Sequence, residues 1–217
     1  MHKTFGFVLD YFLIVKLHAL APFKKVPLRW SVGTKGDIIL LQGFGEPWCF
    51  LESVGNHFNT LGYRIHTITK LQYNSLSIST SATLLEEFIA IHKLKQVYLI
   101  AHSKGGLVAK YFLDTKPSGQ TVQRSFSIAT PYQGTIYGHS SVLYLKELAP
   151  KSKFIQQSLS NTRNLHKIVN IRAAFDNHII PNENSYLPNA INEEVQIAGH
   201  NRVIFAAETI NIIQKYL

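Results

Sequence analysis

The sequence predicts an α/β fold, with a mostly parallel central sheet of about six strands and helices on both faces. Three observations lead there. Short apolar runs alternate with segments of helical period along most of the 217 residues. Runs such as 37–41 and 96–101 are apolar at successive positions, as strands covered on both faces must be. One of those strands passes into a helix through a single serine, Ser103.

The elements follow in order. Residues 37–41 (DIILL) form the first strand, which ends at Gln42-Gly43-Phe44-Gly45. Pro47 suits the first turn of a helix running to about Leu61, and Gly62 ends it. Residues 63–69 alternate as a strand, and 80–93 carry Leu84, Leu85, Phe88, Ile89 and Ile91 at helical spacing. After strand 96–101 a helix runs from Lys104 to about Leu113, broken by Lys116-Pro117-Ser118-Gly119. Residues 124–128 form the next strand and lead into Thr130-Pro131. The stretch 133–166 is less regular, with helical pieces near 141–148 and 152–159, and a small cap is expected at about 135–166. Strands at 167–174 and 195–198 and a helix over 202–216 complete the pattern. Residues 1–30 read as an N-terminal extension and 31–217 as one domain, without internal repeat or linker.

Composition excludes several classes. Hydrophobic residues make up 46% of the chain, which fits a packed core rather than disorder. The one cysteine, Cys49, excludes a disulfide within the chain and a cysteine-rich zinc site. The net charge of +9 comes without a basic–aromatic repeat or a nucleic-acid module, so nucleic acid is not an expected partner. The positive excess is uneven: Lys3, Lys16, Lys24, Lys25, Arg29 and Lys35 face only Asp10 within residues 1–35. Residues 4–15 (TFGFVLDYFLIV) are apolar apart from Thr4 and Asp10. Asp10 and the following Lys16 make a spanning helix costly. A docked or interfacial helix is expected, with peripheral contact to an anionic membrane surface and a cytoplasmic or membrane-peripheral location. Ala19-Leu20-Ala21 mimics a signal-peptide cleavage site, which would place the protein in the periplasm or outside, but Pro22 would follow the cut.

The chemistry centres on Leu99-Ile100-Ala101-His102-Ser103-Lys104-Gly105-Gly106. A strand–serine–helix turn holds the serine in a strained conformation with its hydroxyl exposed. Strand and helix pass close two residues before and after it, where Ala101 and Gly105 stand. A serine capping a helix shares this spacing; the apolar strand before it and the partners farther along separate the two readings. A serine hydroxyl needs a base, and a histidine base needs an orienting acid. In strand–serine–helix enzymes of this kind the acid and then the histidine follow the serine. Asp10 and Asp37 precede Ser103, and Asp114 lies in the helix leaving it. Asp176, just past strand 167–174, is the candidate acid, with Glu183 in the same loop as the alternative. His200, after strand 195–198, is the candidate base; His178 competes for the role. His102 flanks the serine but points away, and His139 and His166 bracket the irregular stretch. Backbone N–H groups of Lys104 and Phe44 would form the oxyanion hole, with Gly43 and Gly45 easing the loop's approach.

Five stretches in this order resemble the lipases and esterases of the α/β-hydrolase superfamily, small bacterial lipases in particular. They are Gln42-Gly43-Phe44-Gly45, Ala101-His102-Ser103-Lys104-Gly105-Gly106, Thr130-Pro131-Tyr132-Gln133-Gly134-Thr135, Asp176 with Ile180-Pro181, and Gly199-His200. The match spans about 37–205. It implies the α/β-hydrolase fold and hydrolysis of a lipid-like carboxylic ester through a Ser103–His200–Asp176 triad and an acyl-enzyme. Tyr132 and the cap residues Leu143 and Tyr144 are expected to touch substrate, with Val142, Leu145 and Leu148 either beside them or in plain core. No metal or cofactor is implied. Two departures stand out. Gln42 replaces the usual histidine of the oxyanion loop, and Lys104 brings a charge that would favour an anionic head group. A thioesterase, amidase or acyltransferase would use the same triad, and a non-catalytic membrane-associated binding protein is the more distant alternative.

Overall fold

The computed structural model describes residues 3–140 and 145–217. It contains six strands: β1 (Asp37–Leu41), β2 (Arg64–Thr67), β3 (Val97–His102), β4 (Val122–Ile128), β5 (Ile168–Phe175) and β6 (Ile191–Ala198). They form one sheet in the order β2-β1-β3-β4-β5-β6, and every neighbouring pair is parallel. The helices are α1 (Lys3–Leu20), α2 (Glu52–Thr60), α3 (Ile78–Ile91), α4 (Lys104–Thr115), α5 (Lys153–Ser160) and α6 (Ala207–Tyr216).

The period-2 alternation of each strand divides the core in two. Ile39, Leu41, Leu99 and Ala101 point to the face covered by α3 and α4, whose Leu85, Ile89, Leu107 and Phe112 close it. Ile38, Leu40, Ile100 and Phe126 point to the opposite face, covered by Val54 and Phe58 of α2 and Ile213 of α6. Trp30 is fully buried in this second core, so the sheet domain begins before residue 31 and takes in the end of the extension.

Three differences from the sequence reading have local causes. The helix expected from Pro47 opens instead as a tighter 3₁₀ turn over Trp48–Leu51 before α2 begins. The last helix divides in the same way, with a 3₁₀ turn at Arg202–Phe205 ahead of α6. β6 starts four residues earlier than its apolar pattern indicated. It is the edge strand, and Glu193 and Glu194 face outward to Lys215 and Arg172, which hides the strand from a hydrophobic pattern.

α1 packs on β6 and the turn that follows it. Gly6 allows this approach, because a Cβ there would stand 2.6 Å from Ala198 Cβ. In the irregular stretch, 3₁₀ turns at Ile136–His139 and Lys146–Leu148 precede α5. His139 and His166, at either end of it, are exposed.

Candidate active site

The loops that carry the candidate residues all leave the carboxyl ends of adjacent strands, which is where sites form on open parallel sheets. Ser103 sits between β3 and α4 at φ 51°, ψ −122°, a conformation that costs a residue with a side chain about 1–3 kcal/mol. The turn is held from below. The Ser103 N–H donates to the Ile128 carbonyl (2.8 Å), and the Thr130 hydroxyl donates to the Ser103 carbonyl (3.0 Å). Gly105 is required beside it, since a Cβ there would overlap the Leu41 carbonyl.

Asp176 follows β5 and His200 follows β6, and the two meet. His200 Nδ1 donates to both carboxylate oxygens of Asp176, at 2.8 and 3.0 Å. The pair is buried, and Asp176 also accepts the backbone N–H groups of His178 (2.7 Å) and Ile179 (2.8 Å). Burial works against the charge on Asp176, but His200 and these two N–H groups outweigh it and hold the carboxyl below its ordinary range. Burial likewise opposes charge on His200. The carboxylates of Asp176, Glu46 and Asp10 prevail and raise its pKa above the ordinary imidazole value.

Ser103 and His200 line one cavity of about 370 Å³, with no hydrogen bond between their side chains among the described residues. His178 lines the same cavity, but its ring packs at a tilt against that of His200 (centroids 4.7 Å apart) rather than bonding Asp176. Burial, reinforced by the nearby His200, pushes its pKa down to about 4 and keeps it neutral. Asp114 pairs with Lys110 at 2.7 Å, and Asp37 with Arg64 and His66 at the start of β1.

For an oxyanion, Phe44 borders the cavity and Lys104 is the first residue of α4, whose N–H has no carbonyl one turn earlier to meet. Gln42 ties the Phe44 loop down: its side-chain amide donates to the Gln72 carbonyl (2.6 Å), and its own carbonyl accepts Asn74 (2.7 Å).

Two expectations are corrected. Tyr132 does not meet the cavity; it is fully buried in the α3–α4 core, with its hydroxyl on Ser127, because the Thr-Pro loop turns it under the sheet. The Lys104 ammonium does not face the cavity either. It is buried, donates to the carbonyls of Asn74 and Leu76, and lies 5.3 Å from the Phe44 ring, with burial lowering its pKa to about 8. Leu143 and Tyr144, like Val142, lie outside the described residues. Leu145 and Leu148 of the cap do line the cavity.

Several residues of the site escaped the sequence reading. Glu46 is buried and accepts His102 Nδ1 (2.8 Å) and the Gly43 N–H (2.7 Å). His102 Nε2 donates to the His200 carbonyl (3.1 Å), so this pair links the oxyanion loop to the histidine loop. Burial opposes the Glu46 charge, yet His102 and His200 hold its pKa low. Asn177 accepts the His200 N–H on Oδ1 (2.9 Å).

The N-terminal helix is the larger surprise. Tyr11, Ile14 and His18 line the cavity, so α1 forms one of its walls. Asp10 is fully buried. Its Oδ1 accepts the backbone N–H groups of Asn201 (2.7 Å) and Arg202 (2.8 Å), directly after His200. Its Oδ2 accepts the side-chain amides of Asn177 (3.2 Å) and Asn201 (3.3 Å). About two turns later, His18 Nε2 lies 2.9 Å from the Gly45 carbonyl, in the loop that carries Phe44. A lone carboxylate in an apolar run was the available signal for this docking; its partners, nearly the whole chain away, were not readable.

A family model described as the PGAP1-like alpha/beta domain matches residues 46–211. No curated protein shows significant similarity to the chain. Among solved structures, the mature lipase BlEst2 of Bacillus licheniformis superposes with a TM-score of 0.68 at 15% identity, covering 83% of this chain and 91% of that one. The α/β hydrolase MGS-MChE2, from a sediment metagenome of the Mar Chica lagoon, gives 0.61 at 20% identity, covering 85% and 91%. A deformylase acting on N-formylmaleamic acid, from Pseudomonas putida S16, gives 0.60 at 14%, covering 84% and 92%. These likenesses establish the α/β-hydrolase fold.

Proposed function

The chain belongs to the PGAP1-like alpha/beta domain family, and from that premise and its own site we propose that it is a serine hydrolase of carboxylic esters with an apolar acyl group. One observation carries the reading: the Asp176–His200 pair and the strained Ser103 elbow open on the same cavity.

In this mechanism Ser103 Oγ attacks the ester carbonyl carbon while His200 takes its proton. The C–O bond to the alcohol breaks, and His200 returns the proton to the leaving oxygen. Water then attacks the acyl-enzyme with His200 again as base, releasing the acid and Ser103. Asp176 keeps the imidazole in the tautomer with a free Nε2 and favours the imidazolium that forms. The N–H groups of Phe44 and Lys104 receive the oxyanion. Ile14, Phe50, Leu145, Leu148 and Ile179 make the cavity apolar, and its volume of about 370 Å³ suits an acyl chain rather than a polar head.

A fluorophosphonate probe tests the nucleophile. Wild type should be labelled, and Ser103→Ala should not; labelling that survives the substitution, or no labelling of wild type, defeats the assignment. A p-nitrophenyl ester series of rising chain length, run beside thioester and amide analogues, tests the bond. Faster turnover of the thioester or amide would replace the ester reading.

A further inference from the structure

The outer face of α1 has no partner among the described residues. Phe5, Val8, Phe12 and Val15 fall at successive spacings of three and four, so they form one stripe, and each is 54–68% exposed. Beyond the helix, Phe23 and Leu28 are 83% and 93% exposed. Asp10 lies on the opposite side of the helix and is buried.

The exposed charge next to the stripe on α1 is a cation, since Lys16 directly follows Val15. Lys16, Lys25 and Arg29 are exposed, whereas Lys3 folds over the Phe175 ring on the packed side of α1, and Asp10, the sole acid of residues 1–35, is hidden beneath the helix. Lys24 is neutralised by Glu52 at 2.8 Å. An apolar stripe with exposed cations at and beyond its C-terminal end matches an anionic lipid surface. The same surface continues onto the cavity: Tyr11, beside Phe12, and Tyr137 are both exposed and both line it.

Lys3–Phe23 is long and apolar enough to cross a bilayer, with a mean hydropathy of 1.5. Crossing would strip Asp10 of its four hydrogen bonds and carry its carboxylate into hydrocarbon. We propose that α1 instead lies in the plane of an anionic membrane surface with the Phe5–Val8–Phe12–Val15 stripe inserted, so that an ester substrate reaches Ser103 from that surface. The substrate route rests on the ester-hydrolase reading above; the docking itself does not.

Co-sedimentation of the full chain with vesicles tests this. Wild type should bind phosphatidylcholine vesicles containing one-quarter phosphatidylglycerol, bind pure phosphatidylcholine far less, and release as salt is raised. The double variant Phe12→Ser, Val15→Ser should lose on the order of tenfold in partition while hydrolysing soluble p-nitrophenyl acetate at the wild-type rate. Lys16→Glu with Lys25→Glu should remove the preference for the anionic vesicles. Failure of wild type to bind, equal binding by the Phe12/Val15 variant, or a wild-type dimer that this variant dissolves would overturn the proposal; the last result would assign the stripe to a second copy. Vesicle binding without Ser103-dependent hydrolysis would support the docking and remove only the ester chemistry.

Discussion

Replacing Asp10 by alanine should disable the site from beneath. The substitution deletes four hydrogen bonds and leaves the buried Asn201 N–H and the partly buried Arg202 N–H without acceptors. Each orphaned backbone donor costs about 1–3 kcal/mol, so the two together cost about 2–6. The two side-chain amides, at 3.2 and 3.3 Å, held weaker bonds and add less. Relief of the carboxylate's own burial offsets part of the loss, giving a net of about 2–4 kcal/mol. A chain of this size shifts by about 2–4 °C per kcal/mol, so thermal unfolding should move down by about 5–15 °C. The fold should survive, because domains hold about 5–15 kcal/mol in total. Well below the new transition, kcat on a soluble p-nitrophenyl ester should still fall by about tenfold or more, as the loop bearing His200 loses its restraint. Asp10→Asn should lie between, since its amide oxygen can keep the Asn201 and Arg202 bonds. An Asp10→Ala protein with wild-type melting and wild-type kcat would refute the reasoning. A rise in KM with kcat intact would show that α1 only walls the cavity.

Two further outcomes follow from the titrating groups. In the proposed mechanism His200 must be neutral to take the Ser103 proton, and its pKa is raised, so kcat/KM should fall as pH drops through a value above the ordinary 6.5. In Asp176→Asn the acid limb of fluorophosphonate labelling should move to lower pH, and an unmoved limb would mean that another group sets it. Lys104→Met should cost about 1–3 kcal/mol through loss of its bonds to Asn74 and Leu76, read by thermal unfolding. It should leave the preference between anionic and neutral esters unchanged, and an altered preference would place the ammonium back at the cavity.

The parts legible in the sequence are those with local causes. β1, β3 and α4 announce themselves through unbroken apolar runs and a serine at the junction, and Asp176 and His200 through their positions after strands. Side-chain direction was not legible in the same way. Tyr132 and Lys104 sit within or beside the right motifs, yet Tyr132 turns into the core and the Lys104 ammonium caps two carbonyls. The Glu46–His102 pair joins positions 56 residues apart, and nothing in either neighbourhood advertises it. Asp10 was visible as an anomaly in an apolar helix and was read as an obstacle to membrane crossing. Its role as the peg of the histidine loop depends on Asn177, Asn201 and Arg202, which only the folded chain brings near.

The same peg orders events in time. Asp10 is translated 191 residues before the Asn201 amide that it binds, so the contact that completes this cavity wall cannot form until that later segment has been made. Until then α1 emerges with both faces bare, its apolar stripe and its carboxylate unpartnered, while the sheet assembles behind it. On the docking proposal, α1 would therefore be able to meet a lipid surface before the cleft behind it is complete. Ser103 would acquire its full surroundings only afterwards, once Asn201 and Arg202 have closed on Asp10.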